Sequence, residues 1–532
     1  MEDKKRTGSF YTPKIISDFL VDYLSKKVKG DALSVLEPSA GDGIFIRSMY
    51  GHKSFLDKLK KVVAVEREQK EVEKIKEITK NKSLQTKHSD FLEFQNNNKT
   101  KFNLVIGNPP YIKKNLLEEE QIVLCEDIHK IFPALSDHKI KNIWTAFLVR
   151  SINFVSEDGI LAFVLPSELL QVKFAAELRA LILKEFERVE IFTFNELLFK
   201  DCKGQDTLLL IGERKAKNKG VYYCNIDKLA DLEQQKFTLA QNVNIRESKW
   251  THHHLTTDEI ELLEKIKKQI EIVNHYCTSK AGIVTAANDY FIVDAKTVQE
   301  YSLKKYVKEI IQKGSFVNGS VVLSQVEFEN LVKQSKPTYL IALNKASKIK
   351  INERIHHYFE KGLDLKINER YKSSIRNTWY EVPNIGTPPE AFFFKRCNEY
   401  PKLIKNNANV LATDSAYTIL MNANYDIDNL IFSFYNSLTL SFAELNGRYY
   451  GGGVLELTPN EFKNLPVPYV DVSAKNFNSF VKDFKSKESI KEICKRNDLS
   501  ILKSIDKNID TDSITKLFNI REKLYFRRIK TN

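Results

Sequence analysis

Cysteine is scarce and unpatterned in this 532-residue chain. Its six copies (Cys125, Cys202, Cys224, Cys277, Cys397 and Cys494) show no short repeat spacing, so neither a disulfide framework nor a cysteine zinc site is indicated. They read as buried thiols in a reducing compartment. The run His252-His253-His254 has no carboxylate or cysteine at ligand spacing, and no metal is expected there. No stretch of about 18 apolar residues occurs, and the opening Met-Glu-Asp-Lys-Lys-Arg has no apolar signal core. No membrane association is expected, and the location read from this is cytoplasmic. Internal repeats and low-complexity segments are missing too; Asn96-Asn97-Asn98 marks only a loop. Acidic residues are outnumbered, 69 against 82 Lys and Arg, and the formal net charge of +13 favours a polyanionic partner. The length exceeds one domain of about 150 residues, so two large units or three smaller ones are expected.

What is present concentrates on one tetrapeptide, Asn108-Pro109-Pro110-Tyr111, which follows the apolar run Leu104-Val105-Ile106-Gly107. The run reads as a buried parallel strand, so the tetrapeptide sits at a strand's carboxyl end, where open α/β sheets bind ligands. Two prolines stop the strand and fix the backbone that carries Asn108. An amide side chain and a fixed main-chain carbonyl give two acceptors for the two hydrogens of an exocyclic amine. Tyr111 supplies a ring on which the base bearing that amine can stack.

Upstream, Leu33-Ser34-Val35-Leu36-Glu37-Pro38-Ser39-Ala40-Gly41-Asp42-Gly43 is a short strand entering a glycine turn. Glycines let the main chain approach a ligand, while Glu37 and Asp42 disfavour a phosphate and favour a cation. The next strand, Lys61-Val62-Val63-Ala64-Val65-Glu66, ends in a carboxylate about 20 residues on, where a doubly wound nucleotide fold places its ribose acceptor. A third strand, 84–88, leads to Asp90-Phe91, a carboxylate and a ring suited to an adenine. Acidic loop, ribose carboxylate and adenine clamp together point to S-adenosylmethionine rather than NAD or ATP.

With these motifs in this order, the chain resembles the gamma-class, type II restriction-modification-like DNA methyltransferases that act on adenine N6. An amino-terminal match is Thr7-Gly8-Ser9-Phe10-Tyr11-Thr12-Pro13, ahead of an amphipathic helix. The resemblance implies an α/β fold: a Rossmann-like S-adenosylmethionine-dependent methyltransferase domain with a mostly parallel seven-stranded sheet, plus a mixed α/β carboxyl-terminal target-recognition domain. It implies that Tyr11, Thr12 and Pro13 close over the methionine part of the cofactor and that Glu37 and Ala40 line that site, with Pro38, Gly41, Asp42 and Gly43 completing the loop. Glu66 would bind the ribose, Asp90 and Phe91 the cofactor adenine. Asn108 would touch both cofactor and target, and Asn108, Pro109, Pro110 and Tyr111 would hold an extruded target adenine between Tyr111 and Phe199. Leu197, Leu198 and Phe199 equally fit an ordinary core. Further matches are 142–147, the strand 159–165 before Pro166, and the strand 207–211.

The implied chemistry can be argued on its own. An aromatic amine is a weak nucleophile because its lone pair is delocalised, and two acceptors on its hydrogens favour the pyramidal nitrogen of an in-line methyl transfer. The base must leave the duplex stack to be reached.

The expected organisation is a catalytic domain over 1–215, a connecting segment over 216–270, a target-recognition domain over 271–470 and a helical segment over 471–532. Candidate DNA contacts in the carboxyl half are Arg376, Lys395, Arg448, Tyr449 and Tyr450, the last three before Gly451-Gly452-Gly453. The run Phe392-Phe393-Phe394 suits a core better than a base platform. Double-stranded DNA is the expected partner, with a cognate restriction endonuclease acting separately and a nucleoid location in a bacterium or archaeon. Methylation of RNA guanine or protein glutamine, and a non-catalytic DNA-binding subunit, are the alternative readings.

Overall fold

The computed structural model describes residues 11–95, 101–196, 198, 206–242, 250–251, 255–317, 319–343, 352–450, 453–507 and 509–529. It divides into one compact unit built chiefly from Met1–Thr257 and another built from Asp258–Tyr449 and Gly453–Ile529.

Among the described residues, nine strands form the first unit's sheet: β1 (Leu33–Glu37), β2 (Leu59–Glu66), β3 (Leu84–His88), β4 (Phe102–Gly107), β5 (Val155–Pro166), β6 (Arg188–Phe194), β7 (Thr207–Glu213), β8 (Gly220–Ile226) and β9 (Ala240–Asn242). Their order is β3-β2-β1-β4-β5-β7-β6-β8-β9. The first five in that order pair in parallel, whereas β7 is antiparallel to both β5 and β6. The expected seven strands are present, but the sheet does not end at residue 215. Strand β8 adds in parallel to β6, and β9 caps it antiparallel. Val221, Tyr223, Cys224 and Ile226 are buried against the first unit's core, so the start of the expected connecting segment belongs to the sheet.

Burial follows from sequence. The centres of β1, β2 and β4 are continuous apolar runs, as a parallel sheet covered on both faces requires. Helix α1 (Lys14–Ser25) turns Ile16, Phe19, Leu20 and Leu24 inward at helical spacing. Its far end is tied to the sheet by a buried charge cluster. Glu190 accepts from Tyr23 Oη at 2.9 Å, Lys27 Nζ at 2.8 Å and Arg188 Nε at 2.6 Å, and with several donors on one carboxylate its desolvation is offset.

Strand β1 lies between β2 and β4, and Val35 and Leu36 pair with Leu104 and Val105. The chain therefore reverses direction of assembly at β1/β4, where a crevice opens beyond the strand ends. The turn after β1 depends on Gly43, which has φ +78° and precedes helix α2 (Ile44–Gly51). A Cβ there would collide with Ile78 Cδ1 and come within 3.2 Å of Ile75 Cγ1. Gly43→Ala is therefore expected to destabilise the first unit by about 2 kcal/mol, combining left-handed strain with overpacking. A urea midpoint equal to the parent's would contradict this.

Among the described residues, the second unit is a mixed α/β assembly with five-, four- and three-stranded sheets. Phe392, Phe393 and Phe394 form one strand of the five-stranded sheet, Ala391–Phe394, and are fully buried, so the core reading of that run holds. The lysine-rich end folds into helices Ala474–Lys485, Ile490–Ile505 and Thr511–Arg528, which bury Phe477, Phe480, Phe484, Ile490 and Ile493. Among the described residues no helix is long and apolar enough to cross a membrane.

Candidate active site

A cleft opens at the β1/β4 crevice, where a doubly wound sheet binds its ligand. Its wall carries Tyr11, Thr12, Glu37, Pro38, Ala40, Gly41, Asp42, Glu66, Asp90, Phe91 and Asn108, residues from five separate stretches of sequence. Pro13 and Gly43 are not on the wall. Pro13 starts α1, its carbonyl accepting from Ile16 N–H at 2.9 Å, and Gly43 shapes the turn from behind.

The main chain fixes this geometry. Ala40 N–H donates to Val65 O at 3.0 Å, lashing the turn after β1 to β2. Glu66, ending β2, accepts from Gly41 N–H and Glu68 N–H, each at 2.8 Å. Both carboxylate oxygens are thus oriented while each retains a further acceptor site. Half-exposed Tyr11 lies over Gly41, where a Cβ would come 3.6 Å from Tyr11 Cε1. Asp90 accepts from Leu92 N–H at 2.8 Å, and Phe91 is set in an aromatic group with Phe147, 5.2 Å between ring centroids.

Electrostatics decide what the cleft can hold. Glu37, Asp42, Glu66, Glu68, Glu71 and Asp90 face it, against one guanidinium, Arg67. Glu37 is fully buried, and neither of its oxygens has a hydrogen-bond partner among the described residues. Burial, then the charges of Glu66 and Asp42, push its pKa well above the usual carboxylate range. A buried carboxylate without a partner is costly, and a cation would relieve it. A phosphate-rich ligand would be repelled. An adenosine carrying a sulfonium and an amino acid suits this donor set.

At the end of β4, Asn108 is oriented from two sides. Ser39 Oγ donates to its main-chain carbonyl at 3.0 Å, joining the turn after β1 to the tetrapeptide, and Tyr111 Oη donates toward its Oδ1 at 2.8 Å. The same hydroxyl lies 3.0 Å from Val164 O. Asn108 and Pro110 line the cleft; Pro109 and Tyr111 do not. The open stacking face expected of Tyr111 is absent from this structure, because the ring is 7% exposed and packed in the core. What it offers the site is its hydroxyl. Phe199 lies outside the described residues.

Several wall residues escaped the sequence reading: Ser39, Ile44, Phe45, Arg67, Glu68, Glu71, Ser89 and Ile112. Ile112 and Ile143 form an apolar wall joined through Ile143 N–H to Ile112 O at 2.9 Å. Phe147, inside the matched stretch 142–147, completes it.

In the second unit, the expected DNA contacts are mostly engaged internally. Arg376 donates to Thr285 O at 2.8 Å and lies 5.7 Å over the Phe291 ring. Arg448 pairs with Glu461 at 3.1 Å, and Tyr449 Oη accepts from Arg527. Lys395 lines an open cleft with Lys313 and Lys487. For Tyr450 only the backbone is described, in strand Arg448–Tyr450.

The strand order, the glycine turn after β1, the carboxylate ending β2 and the acidic cleft at the switch point define a Rossmann-like S-adenosylmethionine-dependent methyltransferase domain. Two solved structures share the fold over most of the chain. A nuclease-deletion mutant of the Type ISP restriction-modification enzyme LlaGI with a DNA substrate mimic matches with TM-score 0.52 at 13% identity, covering 90% of this chain and 47% of that one. A DrdV–DNA complex matches with TM-score 0.51 at 12% identity, covering 92% and 58%.

Family profiles narrow the class. Residues 32–199 match the Eco57I restriction-modification methylase, and residues 247–502 match the carboxyl-terminal domain of Type II methyltransferase M.Eco57I. Type II methyltransferase M.AccI of Acinetobacter calcoaceticus is 25% identical over 486 residues, 87% of this chain and 85% of that one. The chain belongs to the gamma-class restriction-modification DNA methyltransferases.

Proposed function

We propose that this chain methylates adenine at N6 in duplex DNA, using S-adenosylmethionine. The observation that carries the reading is the meeting of Asn108, beyond β4, and the buried unpaired Glu37, ending β1, on the wall of one acidic cleft. When bound, the cofactor supplies an electrophilic methyl group on a sulfonium. Glu37 and Asp42 face its cationic part, Tyr11 and Thr12 cover it, Glu66 accepts from the ribose hydroxyls, and Asp90 and Phe91 hold the adenine.

Asn108 Oδ1 and the Pro109 carbonyl accept the two hydrogens of the target amine and keep its lone pair on nitrogen. This is electrostatic preorganisation on a backbone that two prolines immobilise, and no covalent enzyme intermediate is required. The Tyr111 hydroxyl and Ser39 hold Asn108 in place while the base arrives. Extruding that base costs about a few kcal/mol, and stacking on Tyr111 requires the ring to shed its present cover. The names of the relatives support DNA as substrate and an association with restriction; a restriction endonuclease acting separately is the proposed biological counterpart.

The test is incubation with labelled S-adenosylmethionine and unmethylated bacteriophage DNA, followed by digestion to nucleosides. Label in N6-methyldeoxyadenosine is expected. Unlabelled DNA beside labelled RNA or protein would reverse the assignment, and no label anywhere despite cofactor binding would mark a non-catalytic subunit.

A further inference from the structure

Arg376 and Arg448 are engaged internally, and the second unit presents other side chains to solvent. Among the described residues, eight large apolar side chains of this unit are exposed, and four of them fall within 363–375: Leu363, Leu365, Tyr371 and Ile375. Tyr371 and Ile375 are 78% and 67% exposed. Single exposed apolar groups are ordinary on a protein surface, but a cluster marks an interaction site. The same stretch is basic. Residues 361–376 carry Lys361, Lys366, Arg370, Lys372 and Arg376 against Asp364 and Glu369.

This surface is fastened from beneath. Helix Glu353–Asp364 buries Ile355, Tyr358 and Phe359, and its Gly362 lies so close to Trp379 and Tyr290 that a Cβ would clash with both. Ile367 is fully buried. Two arginines then pin the turn that follows. Arg370 grips both oxygens of Asp289 at 3.1 and 3.2 Å, and Arg376 holds Thr285 O at 2.8 Å. Both anchors lie within 285–289. Between the pins, helix Tyr371–Ser374 buries Ser373 and leaves Tyr371, Lys372 and Ile375 exposed. Tyr371 and Ile375 are four residues apart and share one side of the turn.

A ring and a branched side chain held out rigidly lose little conformational freedom on binding. Cations beside them suit phosphates, which position a protein on DNA, while rings and apolar side chains meet bases. We infer that the 366–375 surface is a DNA-contacting element of the second unit. Lys366 and Lys372 meet phosphates, and Tyr371 and Ile375 lie against base or sugar edges of the duplex. This rests on the proposed function and adds to it the surface that grips the substrate.

The test uses the full chain, a fluorescein-labelled mixed-sequence DNA duplex read by anisotropy over a salt series, and methyl transfer to unmethylated bacteriophage DNA. The double variant Tyr371→Ala/Ile375→Ala is expected to bind the duplex about 10-fold more weakly. Lys366→Ala/Lys372→Ala is expected to flatten the logarithmic salt slope by about 2. Cofactor binding by calorimetry stays at the parent value in both, and Val326→Ala, an exposed apolar residue elsewhere, leaves DNA binding unchanged. A parent that binds and methylates duplex DNA with both double variants behaving like it overturns this inference while the proposed function stands. A parent that neither binds nor methylates DNA overturns both. Equal weakening by Val326→Ala also overturns it, since the loss would then not belong to this surface.

Discussion

Asn108→Ala is expected to lower methyl transfer by about 10²- to 10³-fold while leaving cofactor affinity within about twofold of the parent, since removing one preorganised partner of a developing charge has effects of that order. The asymmetry follows from position. Asn108 contributes one side chain to a cleft whose proposed cofactor contacts are spread over β1, β2 and the turn after β3. Its amide oxygen is held by Tyr111 Oη at 2.8 Å. The contact it offers a target amine strengthens as the nitrogen becomes pyramidal, so its loss falls on turnover rather than ground-state binding. Single-turnover transfer beside calorimetry for the cofactor separates the two. Equal loss of cofactor affinity and transfer rate would show that Asn108 serves the cofactor and not the reaction.

The sequence made this site legible because its parts obey local rules. Apolar runs announced β1, β2 and β4, glycines announced the turn after β1, and carboxylates at strand ends announced what the turn would favour. Parallel strands in a doubly wound sheet bring those ends together whatever the loops do. What escaped depends on partners distant in sequence. Val221-Tyr222-Tyr223 reads as strand-like, but nothing local says that it extends the sheet; β8 joins it because β6 offers an edge to pair with. Tyr111 is covered because β5 passes beside it and places Val164 O against its hydroxyl. Charge misled in the second unit for a similar reason. Arg376 reads as a cation in search of phosphate, yet it fastens its own loop to Thr285 O, while Tyr371 and Ile375 just before it carry no local mark of exposure.

Glu37→Gln is expected to weaken S-adenosylmethionine binding by about 2 kcal/mol, roughly 30-fold, and at the same time to make the ligand-free protein more stable at alkaline pH. The two effects share a cause. A carboxylate with no exposed surface and no hydrogen-bond partner among the described residues is tolerated in the free protein at the expense of its charge, and its pKa is raised by burial first and by Glu66 and Asp42 next. A raised folded-state value means that the stability contributed by protonated Glu37 is fully present below the unfolded carboxylate pKa and is lost as pH climbs through the folded one. Glutamine does not ionise, so the variant escapes that loss, and the melting temperatures of parent and variant should converge in acid and separate as pH rises. Binding runs the other way. A cationic ligand interacts with the ionised form, so the parent's cofactor affinity should increase with pH across the same window, above the ordinary carboxylate range, while the variant's profile there stays flatter. Calorimetric titrations over a pH series, paired with thermal melts of the ligand-free proteins, read both signs at once. An affinity profile identical in parent and variant would mean that Glu37 does not face the cofactor's positive charge, and the cationic ligand inferred from the acidic cleft would lose its main support.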